Sequence, residues 1–224
     1  MMKLGKNTRC NITYTTYSDE EIFNQRLFNV FVFSIARCGS SMMTRILEKL
    51  GVNMVYTSED VSDKEKRKES YEKSLGEYVP NSFFGEITKD VWSHQLEILN
   101  TPYSGCKVIM PVMGQRLGLM KECPCKVIMM WRDPEEIRQS QVAFYRRSPE
   151  VEYFEGVMAA QEVALTEGGI DFKVVKFQDV IDNPVDTISD VAAYINSPNN
   201  IADAVASVDK KAKRFNKPEL VEGI

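Results

Sequence analysis

One short segment combines a cation with small hydroxyl side chains in an order suited to binding an anion. The segment Arg37-Cys38-Gly39-Ser40-Ser41 follows an apolar run and precedes apolar residues at helical spacing. At such a strand–turn–helix junction the first helical N–H groups have no partner within the helix, and the helix dipole favours negative charge. Gly39 permits close backbone approach to a phosphate, while Ser40 and Ser41 can cap the helix or donate hydroxyls. The segment therefore predicts a phosphate-binding turn.

Three kinds of phosphate site could use such a turn, and a simply capped helix would have the same local sequence. The Walker A loop of kinases and ATPases requires a lysine after its last glycine, whereas Ser40 follows Gly39 here. The phosphate loop of cysteine phosphatases requires a shorter spacing than the one from Cys38 to Arg45. A third kind places a cation directly before the turn, where Arg37 stands. The pattern favours this third kind.

Apolar segments of strand length alternate with segments of helix length along most of the chain. Strands are predicted over residues 27–36, 106–110, 126–131 and 172–177. Helices are predicted over residues 42–50, 90–99, 114–121, 135–147, 151–167 and 185–195. This alternation predicts a single three-layer α/β domain, with a central parallel sheet covered by helices and joined by right-handed crossovers. The polar residues 1–26 are expected to form a loosely attached lead-in to a domain over residues 27–224.

Composition and charge restrict the class of protein. The chain has 224 residues, of which 43% are hydrophobic and 27% charged, as in folded proteins. Its formal net charge of −4 argues against a broad nucleic-acid-binding surface, which requires a basic excess. The apolar runs are far shorter than the roughly 20 residues of a membrane helix, and the N-terminus lacks the apolar core of a signal peptide. We therefore predict a cytoplasmic protein without a membrane span or a nucleic-acid partner.

The cysteines and the histidine do not form a metal-binding pattern. The five cysteines are predicted to be reduced, because their number is odd and no CxxC pair is present. Cys123 and Cys125 flank a proline without a second pair of ligands, and His94 is the one histidine. Because a tetrahedral zinc site needs four clustered ligands, no metal site is predicted.

Four segments, in the same order along the chain, resemble motifs of the sulfotransferases that use 3′-phosphoadenosine 5′-phosphosulfate (PAPS). Residues 35–41 resemble the family's 5′-phosphosulfate loop, usually Pro-Arg-Ser-Gly-Thr-Ser/Thr. Residues 127–140 resemble its 3′-phosphate motif, an apolar strand followed by Arg-Asp-Pro and by a serine eight residues after the arginine. Residues 81–86 are similar to a segment of bacterial members that ends in Phe-Glu, and residues 174–184 to the element before a late helix.

The resemblance implies a P-loop nucleotide-hydrolase-like fold and an enzyme that transfers the sulfuryl group of PAPS to a hydroxyl or amine, with 3′,5′-diphosphoadenosine (PAP) as product. Arg37 would stabilise the charge developing on the bridging oxygen. Arg132 and Ser140 would clamp the 3′-phosphate, because a guanidinium fork matches phosphate oxygens. The residues expected to bind the donor are Arg37, Cys38, Gly39, Ser40, Ser41, Met42, Arg132 and Ser140. The acceptor is expected to be a small molecule, a glycan or a peptide, and the oligomeric state is left open.

Three residues are candidates for the general base that takes the acceptor proton. Glu86 comes first because it ends the Phe-Phe-Gly-Glu segment, and partial burial can raise a carboxyl pKa toward neutrality. Glu59 comes second because it lies 22 residues after Arg37, close to the placement of a glutamate in protein-tyrosine sulfotransferases. His94 comes third as the one histidine, whose ordinary pKa lies near neutrality.

The chain departs from the family pattern at several positions. In the loop, Ala36, Cys38 and Ser40 replace the usual proline, serine and threonine. The family's lysine just before a proline is missing, since Met110 stands there and Lys107 lies three residues earlier. The basic residues 209–214 form either a solvated helix end or a further contact to the 3′-phosphate.

Two other hypotheses stay open: a P-loop kinase-like phosphotransferase, and a non-catalytic nucleotide-binding protein of the same fold.

Overall fold

In the computed structural model, a five-stranded parallel sheet is the centre of the described part of the chain, residues 17–54, 101–109, 123–145 and 148–208. The strands are β1 (Asn29–Ser34), β2 (Asn53–Met54), β3 (Ser104–Ile109), β4 (Cys125–Trp131) and β5 (Asp171–Lys176). Their order across the sheet is β2-β3-β1-β4-β5, and every neighbouring pair is parallel. The predicted α/β class with a central parallel sheet is confirmed.

The sheet is flanked by helices that pack on its strands and on one another. The helices are α1 (Asp19–Asn24), α2 (Ser40–Lys49), α3 (Pro134–Tyr145), α4 (Val151–Glu167), α5 (Phe177–Asp182), α6 (Pro184–Tyr194) and α7 (Ile201–Ala206). Helix α2 packs against β1, β2, β3 and α7, and α7 also packs against α6. Helix α3 packs against α4 and α5 against α6, while both α4 and α5 pack against β5. Within the described ranges, no helix is long and apolar enough to cross a membrane.

The central strands are buried on both faces, as their composition requires. Val30, Val32 and Phe33 of β1 have no exposed surface, and residues 127–130 of β4 are at most 1% exposed. Near-continuous apolar sequence is typical of parallel strands that helices cover on both sides. This burial explains why the sequence alone predicts β1 and β4.

The structure also contains elements that the sequence pattern did not predict. Helix α1 lies within the expected lead-in and begins with a capping box between Ser18 and Glu21. Its Phe23 ring stacks on Phe28 at 6.2 Å, so α1 packs against the core. Phe177, predicted as the end of the fourth strand, instead begins α5, so this boundary was wrong. The predicted helices 90–99 and 114–121 lie outside the described residues.

The parallel sheet collects the ends of three neighbouring strands at one edge. β1, β4 and β5 are adjacent, and their registers place Phe33 beside Met129 and Met130 beside Val175. Because parallel strands end at the same edge, the segments that follow these three strands lie side by side. They are the loop after β1, Arg132 after β4 and α5 after β5. This carboxyl edge is where ligands bind in open α/β sheets.

Candidate functional site

The loop between β1 and α2 has a backbone shape suited to holding an anion. Arg37 has φ of 80° and Gly39 has φ of 90°, both in the left-handed region. Left-handed residues in a tight turn direct successive N–H groups into one concavity, an arrangement that binds anions. The amides of Met42 and Met43 donate to the Gly39 carbonyl oxygen at 3.0 and 3.1 Å. The amides of Ser40 and Ser41, the first two residues of α2, come before them at the start of the helix. This backbone is compatible with the phosphate-binding turn, which stays a prediction.

Gly39 is required at its position by both conformation and space. Its left-handed φ is strained for any residue with a side chain. A Cβ atom there would also overlap the ring of Phe177, the first residue of α5, which is 2% exposed. The loop at Gly39 therefore packs against the ring of Phe177, which directly follows β5.

Arg132 follows β4 and is held on three sides at the same edge. Its Nε donates to Glu136 Oε2 at 2.9 Å, and its Nη1 donates to the Arg37 carbonyl at 3.1 Å. The guanidinium lies 4.3 Å from the centre of the Phe177 ring. Only 5% of the residue is exposed, and within the described part of the chain its Nη2 has no hydrogen-bond partner. Since a buried N–H donor is costly to leave unmatched, Nη2 is suited to an anionic ligand.

Arg37 and Ser140 join the two segments directly. Arg37 Nε donates to Ser140 Oγ at 3.1 Å, although the residues are separated by 103 positions in the chain. Ser140 lies on α3 and is 2% exposed. The structure thus brings together Arg37, Arg132 and Ser140, the three donor-binding side chains predicted from the two separate segments.

Lys107, the lysine three residues before Met110, adds a cation beside the loop. Its Nζ donates to Ser41 Oγ at 3.3 Å, and the residue is 4% exposed. Lys107 pairs with Val32 in the register between β3 and β1, so its side chain starts next to the strand that leads into the loop. The family's lysine before the proline is missing from the sequence, and the structure adds that Lys107 contacts the loop. A charged residue inside a buried apolar strand was the available signal, because such a charge needs a polar partner.

The remaining predicted loop residues have mixed environments. Ser40 is 4% exposed, and its carbonyl accepts a hydrogen bond from Thr44 Oγ1 at 2.8 Å. The Met42 side chain packs against the core, and its amide donates to the Gly39 carbonyl oxygen at 3.0 Å. The predicted bases Glu59, Glu86 and His94 and the basic residues 209–214 lie outside the described residues. Within the described ranges, no cluster of three or more His, Cys, Asp or Glu residues could hold a metal ion.

The Cys38 thiol is unsuited to be a nucleophile. Cys38 has no exposed surface, and burial raises the pKa of its thiol to about 12, an effect that the hydrogen bond with Ile35 and the charge of Arg132 offset only in part. Because the thiolate is the reactive form, a buried thiol that stays protonated reacts slowly. The chemistry of cysteine phosphatases is therefore disfavoured at this loop.

We expect Cys38 to resist alkylation by iodoacetamide in the native protein at mildly alkaline pH. Peptide mapping by mass spectrometry should find Cys38 unmodified while native, and modified once the chain is unfolded in guanidinium. Rapid modification of Cys38 in the native state would contradict this expectation and return the nucleophile hypothesis to consideration.

Comparison with known proteins gives matches to solved structures alone. No family model and no curated protein matches the chain. Mouse sulfotransferase SULT7A1 complexed with PAP aligns over 91% of this chain and 75% of its own, with 15% identity and a TM-score of 0.49. Retinol dehydratase in complex with androsterone and PAP aligns over 85% and 67%, with 13% identity and a TM-score of 0.46. Shikimate kinase from Bacteroides thetaiotaomicron aligns over 75% and 98%, with 9% identity and a TM-score of 0.40. The chain is thus only distantly similar to these proteins.

Proposed function

We propose that the protein is a sulfotransferase that transfers the sulfuryl group of PAPS to a hydroxyl or amine acceptor by in-line displacement. The proposal depends on the contact between the two predicted anion-binding segments. Arg37 Nε lies 3.1 Å from Ser140 Oγ, and Arg132 Nη1 lies 3.1 Å from the Arg37 carbonyl oxygen. One adenosine carries both the 3′ and the 5′ groups of PAPS, so the residues that bind them must lie within one nucleotide's length. Segments that touch meet this requirement.

The donor-binding groups divide between the two segments. The 5′ group would bind the amides at the start of α2 and the hydroxyls of Ser40 and Ser41, because a helix N-terminus favours anions. The 3′-phosphate would bind Nη2 of Arg132, the guanidinium N–H group whose partners the protein does not supply within its described part. Ser140 would add its hydroxyl to the same phosphate. The 3′ and 5′ groups of one adenosine are thereby matched by hydrogen-bond donors from two segments that touch.

Two cations surround the loop where the transferred group would lie. Arg37 belongs to the loop itself, and Lys107 reaches the Ser41 hydroxyl from β3. Bound PAPS supplies an activated sulfuryl group whose bond from sulfur to the bridging oxygen breaks as the acceptor's bond to sulfur forms. A loose transition state of this kind places charge on the departing oxygen, which fixed cations stabilise. The acceptor's proton passes to a base, for which Glu86, Glu59 and His94 are the proposed candidates.

We expect PAP to stabilise the protein against heat and ATP with magnesium to have no effect. A ligand present at 100 times its Kd adds about 2.7 kcal/mol to the free energy of unfolding. For a chain of this length, that corresponds to a rise in Tm of roughly 5–10 °C. Thermal-shift measurements with PAP, ATP and adenosine 5′-monophosphate test this expectation, and the monophosphate should act weakly because it lacks the 3′-phosphate.

Each outcome of that measurement separates the hypotheses. Stabilisation by ATP with magnesium alone would contradict the proposal and favour a kinase-like phosphotransferase. Stabilisation by neither nucleotide would contradict it and favour a protein that has lost nucleotide binding. If PAP stabilises the protein, transfer of labelled sulfate from PAPS to a panel of hydroxyl and amine acceptors distinguishes catalysis from binding alone.

A further inference from the structure

Gln141, a residue with no assigned role, contacts the loop from α3. Its side-chain Nε2 donates to the Ala36 carbonyl oxygen at 3.1 Å, and the residue is 9% exposed. The next carbonyl along the loop, that of Arg37, accepts from Arg132 Nη1 at 3.1 Å. Two consecutive carbonyl groups of the loop are therefore held by side chains from the segment that follows β4.

These two hydrogen bonds act on the two peptide planes that flank the Arg37 Cα atom. A peptide unit is planar and trans, so holding its carbonyl oxygen also fixes the direction of its N–H group. The dihedral angles φ and ψ of Arg37 describe the rotation of these two planes about its Cα atom. Gln141 and Arg132 therefore restrain both angles of Arg37.

Arg37 needs such a restraint because its backbone is strained. Its φ of 80° lies in the left-handed region, which residues other than glycine rarely adopt. Strained conformations of this kind persist where the surrounding structure holds them, and they concentrate at functional sites. The carbonyl oxygens of Ala36 and Arg37 also accept hydrogen bonds from Gln141 and Arg132, so their negative charge is directed at these donors. An anion in the loop would otherwise be repelled by the two carbonyl oxygens.

We propose that Gln141 is a positioning residue that keeps Arg37 in its left-handed conformation and thereby aims the Arg37 guanidinium at Ser140. The effect on the backbone is independent of the ligand, whereas its consequence for turnover rests on the proposed sulfotransferase function. Loss of the Gln141 donor would release the Ala36 carbonyl, allow the peptide plane to rotate and move the charge of Arg37 away from α3.

The chain offers a matched control on the same helix. Gln139 Nε2 donates to Glu135 Oε1 at 3.0 Å, so this amide hydrogen bond lies within α3. Gln139→Met and Gln141→Met both replace a glutamine amide by an apolar side chain of similar length. A difference between these two variants therefore reports the contact with Ala36.

Hydrogen–deuterium exchange without any ligand tests the backbone role. We expect Gln141→Met to exchange the Cys38 amide, which donates to the Ile35 carbonyl oxygen at 3.2 Å, about tenfold faster than the wild type, the effect of losing one hydrogen bond that holds the loop. The amides of β4 serve as an internal reference and should keep their rates, and Gln139→Met should match the wild type throughout. Unchanged loop exchange in Gln141→Met, or equal acceleration in the loop and β4, would overturn the proposal.

A second measurement links the restraint to the site. In titration calorimetry with PAP, Gln141→Met should bind about tenfold more weakly than Gln139→Met. In turnover assays it should lower kcat while leaving the KM of the acceptor unchanged, since Arg37 is displaced but the acceptor site is not. If the wild type does not bind PAP, the sulfotransferase proposal fails, while the exchange experiment still decides the role of Gln141. If the wild type binds PAP and both variants bind equally, the role of Gln141 in the site is refuted.

Discussion

Arg132→Ala is expected to lower the free energy of unfolding by about 3–5 kcal/mol, the usual effect of removing one partner of a buried ion pair. The side chains of Arg132 and Glu136 are 6% and 11% exposed and 2.9 Å apart, so the substitution leaves the Glu136 carboxylate without its cation. It also removes the donor to the Arg37 carbonyl and the group stacked on Phe177. The sequence alone predicts mainly weaker donor binding, whereas the structure adds this loss of stability. Urea unfolding measures the stability, and calorimetry with PAP measures the binding.

A double variant separates the two effects. Arg132→Met combined with Glu136→Leu removes both charges, and replacing a buried ion pair by apolar residues is often neutral for stability. We therefore expect the double variant to regain most of the lost free energy of unfolding but none of the affinity for PAP. A double variant that binds PAP as the wild type does would show that Arg132 does not hold the phosphate. A single variant as stable as the wild type would show that the ion pair contributes little.

Local sequence predicted the strands and helices that have a strong and continuous pattern. β1 and β4 each contain a run of at least four apolar residues, and the last helical turn of α4 is followed by two glycines, so these elements were found close to their observed bounds. The two-residue strand β2 and the six-residue helices α1, α5 and α7 are too short for a periodic pattern. Their positions are determined by packing against the rest of the domain. Phe177 illustrates this, because an apolar residue directly after a strand has no local signal for helix.

The sequence could predict those residues of the candidate site that belong to a contiguous motif. Arg37 and Arg132 each follow a recognisable strand, and a parallel sheet brings the ends of neighbouring strands to one edge. The contact of Lys107 with Ser41 depends on β3 lying beside β1, and the sheet order is not readable from the sequence. The contacts of Gln141 and Phe177 with the loop depend on the orientation of α3 and α5. The ion pair between Arg132 and Glu136 was not predicted either, because Arg132 precedes α3 and a spacing of four residues is a local signal only within a helix.

Arg37→Ala should abolish measurable turnover while leaving the fold intact. A transition-state arginine in phosphoryl transfer contributes about 10³–10⁵ in kcat, and sulfuryl transfer imposes a similar demand for charge. Arg37 lies in a loop rather than in the core, and alanine adopts its left-handed φ of 80° with about the same strain. We therefore expect a Tm close to that of the wild type. Arg37→Lys should recover part of the activity, because it restores the charge without the geometry of the guanidinium.

Arg26 is the matched control for this prediction. It is also an arginine with a positive φ, 55°, but it precedes β1 and therefore lies at the opposite edge of the sheet. Its Nε donates to the Asn196 carbonyl at 2.7 Å, so Arg26→Ala should lower the stability and leave kcat unchanged. Both variants are measured by sulfate transfer and by thermal unfolding. Arg37→Ala should lose turnover and keep its Tm, whereas Arg26→Ala should keep its kcat and lose stability. Equal loss of turnover in both variants would mean that activity depends on general stability, and full activity in Arg37→Ala would exclude the loop cation from the reaction.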